Sequence, residues 1–215
     1  RTTTYGVGEM MVDALKRGCE CIVMGIGGST TCDAGQGMLQ ALEEGGWVQQ
    51  RCRVVVACDV DNPLYGPQGA AYVFAPQKGA TPKQVEELDR QLRLFARRTE
   101  QAGVAVPELA YYPGAGAAGG LGYALLAYLK AELRPGIEIV LDLAGFDQLL
   151  AEADVVITGE GKSDEQTLMG KVAHGVMKRC QAAGVPVWLL SGAIDDPQGH
   201  LAQAFSRVVC INAND

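Results

Sequence analysis

Two stretches of this chain set carboxylates beside small or basic residues in patterns that suit phosphate chemistry. Cys58-Asp59-Val60-Asp61-Asn62-Pro63 follows a β-branched run and places two carboxylates and an amide together. Alternate residues of an extended segment face the same way, so Asp59 and Asp61 are expected to address one ligand or one Mg²⁺. An Asx-Pro turn that merely caps the strand is the plainer alternative. Thr158-Gly159-Glu160-Gly161-Lys162-Ser163-Asp164-Glu165-Gln166 runs on to Lys171 and joins carboxylates to lysines in a glycine loop. Phosphoryl transfer needs a base for the attacking hydroxyl and cations for the phosphate charge. Surface salt bridges are the alternative here. Gly161-Lys162-Ser163 looks like the end of a P-loop, but its first glycine would fall at Val156, so it is not one.

Glycine-rich loops supply a second kind of chemistry, backbone N–H groups aimed at anions. Between Gly25 and Gly37 the chain has five glycines, with Ser29, Thr30, Thr31 and Asp33. A strand that enters a helix through such a loop suits a phosphate or carboxylate. A tight turn is the alternative. Lys78, in Pro76-Gln77-Lys78-Gly79, is placed to reach an anion or to lie solvated in a loop. Gly114, Gly116 and Gly119 form a formal GxGxxG. A dinucleotide site would need a good strand before it and an acidic residue about twenty positions on. The segment 107–112 is a weak strand, and Glu132 falls in a predicted helix. The loop reads better as a phosphate loop. An NAD-dependent oxidoreductase of a small hydroxy acid is kept as the rival function, with a non-catalytic sugar-acid or nucleotide sensor. His174 is expected to cap or face solvent.

The elements that would position these loops alternate. Helices are expected at 6–17, 35–43, from the Thr81-Pro82 capping box to Gly103, and at 121–133, 146–153, 170–183 and 198–205. Strands are expected at 20–26 (buried), 53–58, 137–141, 154–158, 185–190 and 207–211. The closing strand–helix series is a parallel α/β signature.

The bulk properties exclude several classes. The chain has 215 residues, 48% hydrophobic and 20% charged, with 28 glycines and net charge −7. An acidic chain without a basic patch argues against nucleic acid. No apolar run is long enough to span a membrane. Seven cysteines without a CxxC pair and only two histidines argue against zinc and for reduced, buried thiols in a cytoplasm.

Taken in order, 25–33, 57–64, 76–80, 114–122 and 157–167 resemble the bacterial class I glycerate kinase family over nearly the whole chain. The resemblance implies an α/β, glycerate-kinase-like two-domain architecture with a largely parallel sheet in the C-terminal half. Domains are expected at 1–145 and 146–215. It also implies ATP-dependent phosphorylation of D-glycerate, with 2-phosphoglycerate favoured, ATP and Mg²⁺ as cofactors, and a cytoplasmic setting. The expected partners are glycerate and ATP, with no nucleic acid and no membrane; a homodimer is open to such an enzyme. The family usually has Ala and Asn near Thr30–Cys32, and a longer segment between Trp47 and Arg53. Its N-terminal part and C-terminal tail lie outside this sequence, so the chain is expected to be a fragment.

On physical grounds Asp59, Asp61, Asp164 and Lys171 are the candidate catalytic residues, with Asp61 and Asp164 as Mg²⁺ ligands. Candidates for binding substrate and phosphate are Gly27, Gly28, Ser29, Thr30, Asp33, Asn62, Gln77, Lys78, Gly114, Gly116, Gly119, Glu160 and Gln166.

Overall fold

A computed structural model describes residues 2–47 and 52–212. It divides the chain into two units, Arg1–Arg134 and Pro135–Asp215. The division falls before a segment expected to be a strand, rather than at 145/146.

In the first unit, α1 (Tyr5–Lys16) leads to β1 (Cys21–Gly25), α2 (Gln36–Glu44) and β2 (Arg53–Ala57). Then come α3 (Ala70–Phe74), α4 (Pro82–Gln101), α5 (Ala117–Leu129) and β3 (Glu132–Arg134). The strands pair in parallel in the order β1-β2-β3, with Cys21 opposite Arg53 and Val55 opposite Glu132. Met38, Leu42, Val54, Val56, Leu121 and Leu125 form one core between sheet and helices. Gly8 lets α1 lie against α2: a Cβ there would stand 2.5 Å from the Met38 carbonyl. A second core, around Leu64, Leu92 and Tyr123, joins α3, α4 and α5. The expected capping box starts α4, with Thr81 and Gln84 bonded reciprocally and Pro82 at the first helical position.

Three expectations in this unit are corrected. Strand β1 is not buried on both faces: Val23 is 47% exposed, and Cys19 and Cys21 are exposed, while Cys52 is buried. The strand lies at the edge of its sheet, so one of its hydrogen-bonding edges has no strand beside it among the described elements. The helix expected over 121–133 stops at Leu129, where Lys130 takes a left-handed conformation. Ala131, Glu132 and Leu133 are good helix formers locally, but Glu132–Arg134 pairs with β2 instead, and tertiary pairing overrides propensity. The segment Pro107–Tyr111 is a 3₁₀ turn, not a strand. Of the short 45–53 connection, residues 48–51 lie outside the described residues.

In the second unit, α6 (Gly136–Leu143) and α7 (Phe146–Leu150) precede β4 (Val156–Ser163) and α8 (Val172–Ala183). Then follow β5 (Val187–Ile194), α9 (His200–Ala204) and β6 (Arg207–Cys210). The sheet is parallel, ordered β4-β5-β6, as the alternation implied. The predicted strand 137–141 is helix α6. Its β-branched run misleads, because the helical turn is what brings Glu138 and Asp142 onto one face. Both meet Arg179 of α8, at 2.5 and 2.6 Å, and Asp147 joins them at 2.7 Å. Gly175 opens the place for Ile137, whose Cγ1 would stand 2.6 Å from a Cβ there.

Candidate active site

In a parallel sheet, ligands gather beyond the carboxyl ends of the strands. In the first unit β1 opens there into Ile26–Asp33 and β2 into Cys58–Asn62. A cleft of about 260 Å³ lies between them, lined by Gly27, Gly28, Ser29, Asp59, Gln77 and Lys78 among others. Beside it lies a larger cleft of about 540 Å³, lined in part by Thr30, Thr31, Cys32, Lys78 and the Gln84, Glu87, Leu88 and Gln91 face of α4.

Lys78 borders both clefts. It ends a single 3₁₀ turn, Pro76–Lys78, and Gly79 at φ +88° turns the chain away. Its Nζ donates to Ser29 Oγ at 2.7 Å and to the Thr31 carbonyl at 2.8 Å, with Cys32 Sγ at 3.8 Å. The lysine thus pins the strand-end loop from across the cleft, a tighter engagement than a solvated side chain. Cys32 is half-buried, and burial pushes its thiol pKa up.

The expected site residues divide by what holds them. Gly27, Gly28, Ser29, Asp59, Gln77 and Lys78 converge on the smaller cleft, and Thr30 lines the larger one. Asp33 also borders the larger cleft, but four protein donors take up its oxygens. Oδ2 accepts from Thr4 N and Thr4 Oγ1, both at 2.8 Å, and from Gly37 N at 3.3 Å; Oδ1 accepts from Gly35 N at 3.1 Å. It therefore ties the start of α1 to the start of α2. Thr4, buried and accepting from Met38 N at 2.9 Å, is a supporting residue that sequence reasoning missed. No local signal marks a pair 29 positions apart.

Asp61 is exposed and lines neither cleft. Asn62 makes the turn chemistry that was the plainer reading: its Nδ2 donates to the Gln68 carbonyl at 2.9 Å. Gly114, Gly116 and Gly119 do not form an open cradle; all three are buried. Gly116 N donates to the Asn62 carbonyl at 2.8 Å. A Cβ at Gly116 would lie 2.1 Å from the Pro63 carbonyl, and one at Gly119 2.2 Å from the Thr31 carbonyl. These glycines let the loop press against the two strand-end loops. With a 3₁₀ turn before it instead of a strand, the GxGxxG pattern is no dinucleotide fingerprint.

In the second unit, Glu160 is the centre of a hydroxyl network. Its Oε1 accepts from Ser163 Oγ at 2.9 Å and Thr167 Oγ1 at 2.5 Å. Ser163 also shares a short hydrogen bond with Ser191, and all three hydroxyl residues are buried. Ser191 carried no signal in the sequence; it arrives on the neighbouring strand. Asp164 caps the following 3₁₀ turn by accepting from Gln166 N at 3.0 Å. It also pairs with Lys171 at 3.8 Å and Lys162 at 4.0 Å. Gln166 is exposed. His174 Nδ1 accepts from Gly170 N at 3.1 Å, the capping role expected of it. Burial, with Lys178 nearby, holds its pKa below the ordinary value. Among the described residues, no three His, Cys, Asp or Glu side chains stand together in a way that could hold a metal ion.

The sequence model of the glycerate kinase family matches residues 1–47 and 43–215. The chain belongs to the glycerate kinase family. The two matched segments meet at 43–47, beside the short connection to β2. The glycerate kinase of Halalkalibacterium halodurans is 45% identical over 94% of this chain and 59% of its own length. The glycerate 2-kinase of Escherichia coli is 39% identical over 94% of this chain and 60% of its own. The crystal structure of a candidate glycerate kinase 2 from Salmonella typhimurium LT2 matches with a TM-score of 0.80 at 38% identity. That match covers 98% of this chain and 61% of the other. The chain thus spans about 60% of the length of these family members.

Proposed function

We propose that this member of the glycerate kinase family transfers the γ-phosphoryl group of ATP to D-glycerate, giving 2-phosphoglycerate. The observation that carries the reading is the smaller cleft, where Asp59, Ser29 and the Lys78 ammonium converge beyond two parallel strands. In the reaction the bond from phosphorus to the ADP oxygen breaks and a bond to the glycerate hydroxyl oxygen forms. The hydroxyl proton leaves to a base. Asp59 is the carboxylate on the cleft wall and takes that part. Lys78 offsets phosphate or carboxylate charge, and the Gly27–Ser29 backbone adds N–H donors. Within the second unit, Asp164 and Lys171 form a carboxylate–lysine pair of their own at 3.8 Å.

Mg²⁺ commonly rests on one or two carboxylates plus substrate phosphates, and it would neutralise charge on the nucleotide. In the first unit a single carboxylate on the cleft wall, Asp59, fits that mode; a dedicated protein cage does not. Among the described residues no helix is long and apolar enough to cross a membrane, and a cytoplasmic setting is part of the proposal.

The test is a coupled ADP-release assay on the full-length gene product with glycerate, glycolate, lactate and tartronate, followed by NMR of the product. Turnover with glycerate and a phosphate on carbon 2 is the expected result. A phosphate on carbon 3 would revise the product. Binding of glycerate without turnover would replace the kinase with a sensor.

A further inference from the structure

Two clefts that share one lysine are more than a single small acid requires. The wall between them is the 29–32 loop. Ser29 faces the smaller cleft and Thr30–Cys32 the larger, while Lys78 holds the loop in place through Ser29 and Thr31. We propose that the larger cleft takes the nucleoside part of the phosphoryl donor and the smaller cleft the acid, with Lys78 Nζ at the point where the phosphoryl group passes between them. This rests on the kinase reading and assigns its two substrates to separate places.

Size is the first argument. Pockets that enclose drug-sized ligands measure roughly 300–1,000 Å³. The larger cleft, at about 540 Å³, is in that range; the smaller, at about 260 Å³, is below it. A nucleotide is of drug size, and glycerate is far smaller.

Charge is the second argument. The α4 wall of the larger cleft presents Glu87, whose carboxylate is held by Arg90 at 2.6 Å and Gln91 at 2.7 Å. A carboxylate repels a polyphosphate but accepts from ribose hydroxyls or from an exocyclic amine. The same wall carries Leu88, one turn from Gln84 and Gln91, which gives a base an apolar surface between two amides. The cation that borders both clefts is Lys78. A nucleotide in the larger cleft therefore has one favourable orientation, with its phosphates toward Lys78 and its nucleoside along α4.

Cys32 provides a reporter that needs no turnover, since it lines the larger cleft and not the smaller one. Alkylation by iodoacetamide, mapped by peptide mass spectrometry, is measured on the full-length protein with ADP, with glycerate, or with neither. ADP should slow Cys32 labelling at least fivefold, and glycerate alone should leave it unchanged. The exposed variant Gln91→Trp, which fills the cleft from α4, should weaken ADP binding about tenfold or more by calorimetry and leave glycerate binding within twofold. Protection by glycerate but not ADP would reverse the assignment. ADP that binds without protecting Cys32 and without sensing Gln91→Trp would overturn the cleft assignment and leave the kinase reading standing. If neither ligand binds, both readings fail.

Discussion

Gly25–Gly28 and Gly114–Gly122 are both rich in glycine, both precede a helix, and both suggested anion cradles. The space around them separates the two. A Cβ added at Gly25, Gly27 or Gly28 would meet nothing within 4 Å. One added at Gly116, Gly119 or Gly122 would come within 2.1–2.2 Å of a carbonyl oxygen. In the first loop glycine leaves the backbone bare for a visitor. In the second it lets one stretch of backbone lie on another. Composition cannot tell these uses apart, because both ask only for a missing side chain.

The contrast breaks most sharply at the packed loop. Gly116→Ala and Gly119→Ala should each cost about 3 kcal/mol of stability, at the upper end of what overpacking costs. Urea denaturation of each variant measures this. Wild-type midpoints in both would mean that the loop yields and that the contrast is false. Lys78→Met tests the open side. The protein should stay folded by circular dichroism while kcat/KM for glycerate falls about 10²–10³-fold, the scale of removing one preorganised donor. Gly27→Ala sharpens the comparison further. Stability should stay within about 0.5 kcal/mol of wild type, while the KM for ATP or glycerate rises several-fold. A stability loss as large as that of Gly116→Ala would place both loops in one class.

The smallest effect concerns Tyr123, on the helix that the packed loop begins. Its hydroxyl is buried and completes no well-formed hydrogen bond, and burial, only partly offset by Thr99, pushes its pKa up to about 12. The native state therefore holds its proton more tightly than the unfolded chain, whose tyrosine titrates near pH 10. That contribution is fully present below about pH 10 and is lost as pH rises through 12. Tyr123→Phe should raise stability slightly at pH 7 and soften the alkaline decline between pH 10 and 12, followed by thermal melts across that range.

What could be read from the sequence was whatever is decided locally. The Thr81–Gln84 box is four consecutive residues, and it starts its helix as expected. The carboxyl ends of β1 and β2 were marked by β-branched runs that stop at polar turns, and they do form the cleft. What could not be read depended on partners far along the chain. Glu132–Arg134 is a strand only because β2 lies beside it. The 137–141 run is a helix that sets Glu138, and Asp142 just beyond it, against Arg179 some forty positions on. Asp33 looked like a ligand contact until Thr4 took its oxygens, and Ser191 reached Glu160's network from another strand.

That network has a direction. Each hydroxyl owns one hydrogen, and Glu160 as a carboxylate can only accept. Ser163 gives its hydrogen to Glu160, so in its bond with Ser191 it must be the acceptor and Ser191 the donor. Thr167 likewise gives to Glu160 and accepts from Asp164 N. Every proton at the end of β4 is thereby oriented inward. Ser191, having spent its hydrogen, can offer anything beyond it only lone pairs. Glu160→Gln would keep the shape of this cluster, because the amide oxygen can take the place of Oε1 and accept from both hydroxyls. The row would then keep its polarity and lose only the full negative charge on which it ends.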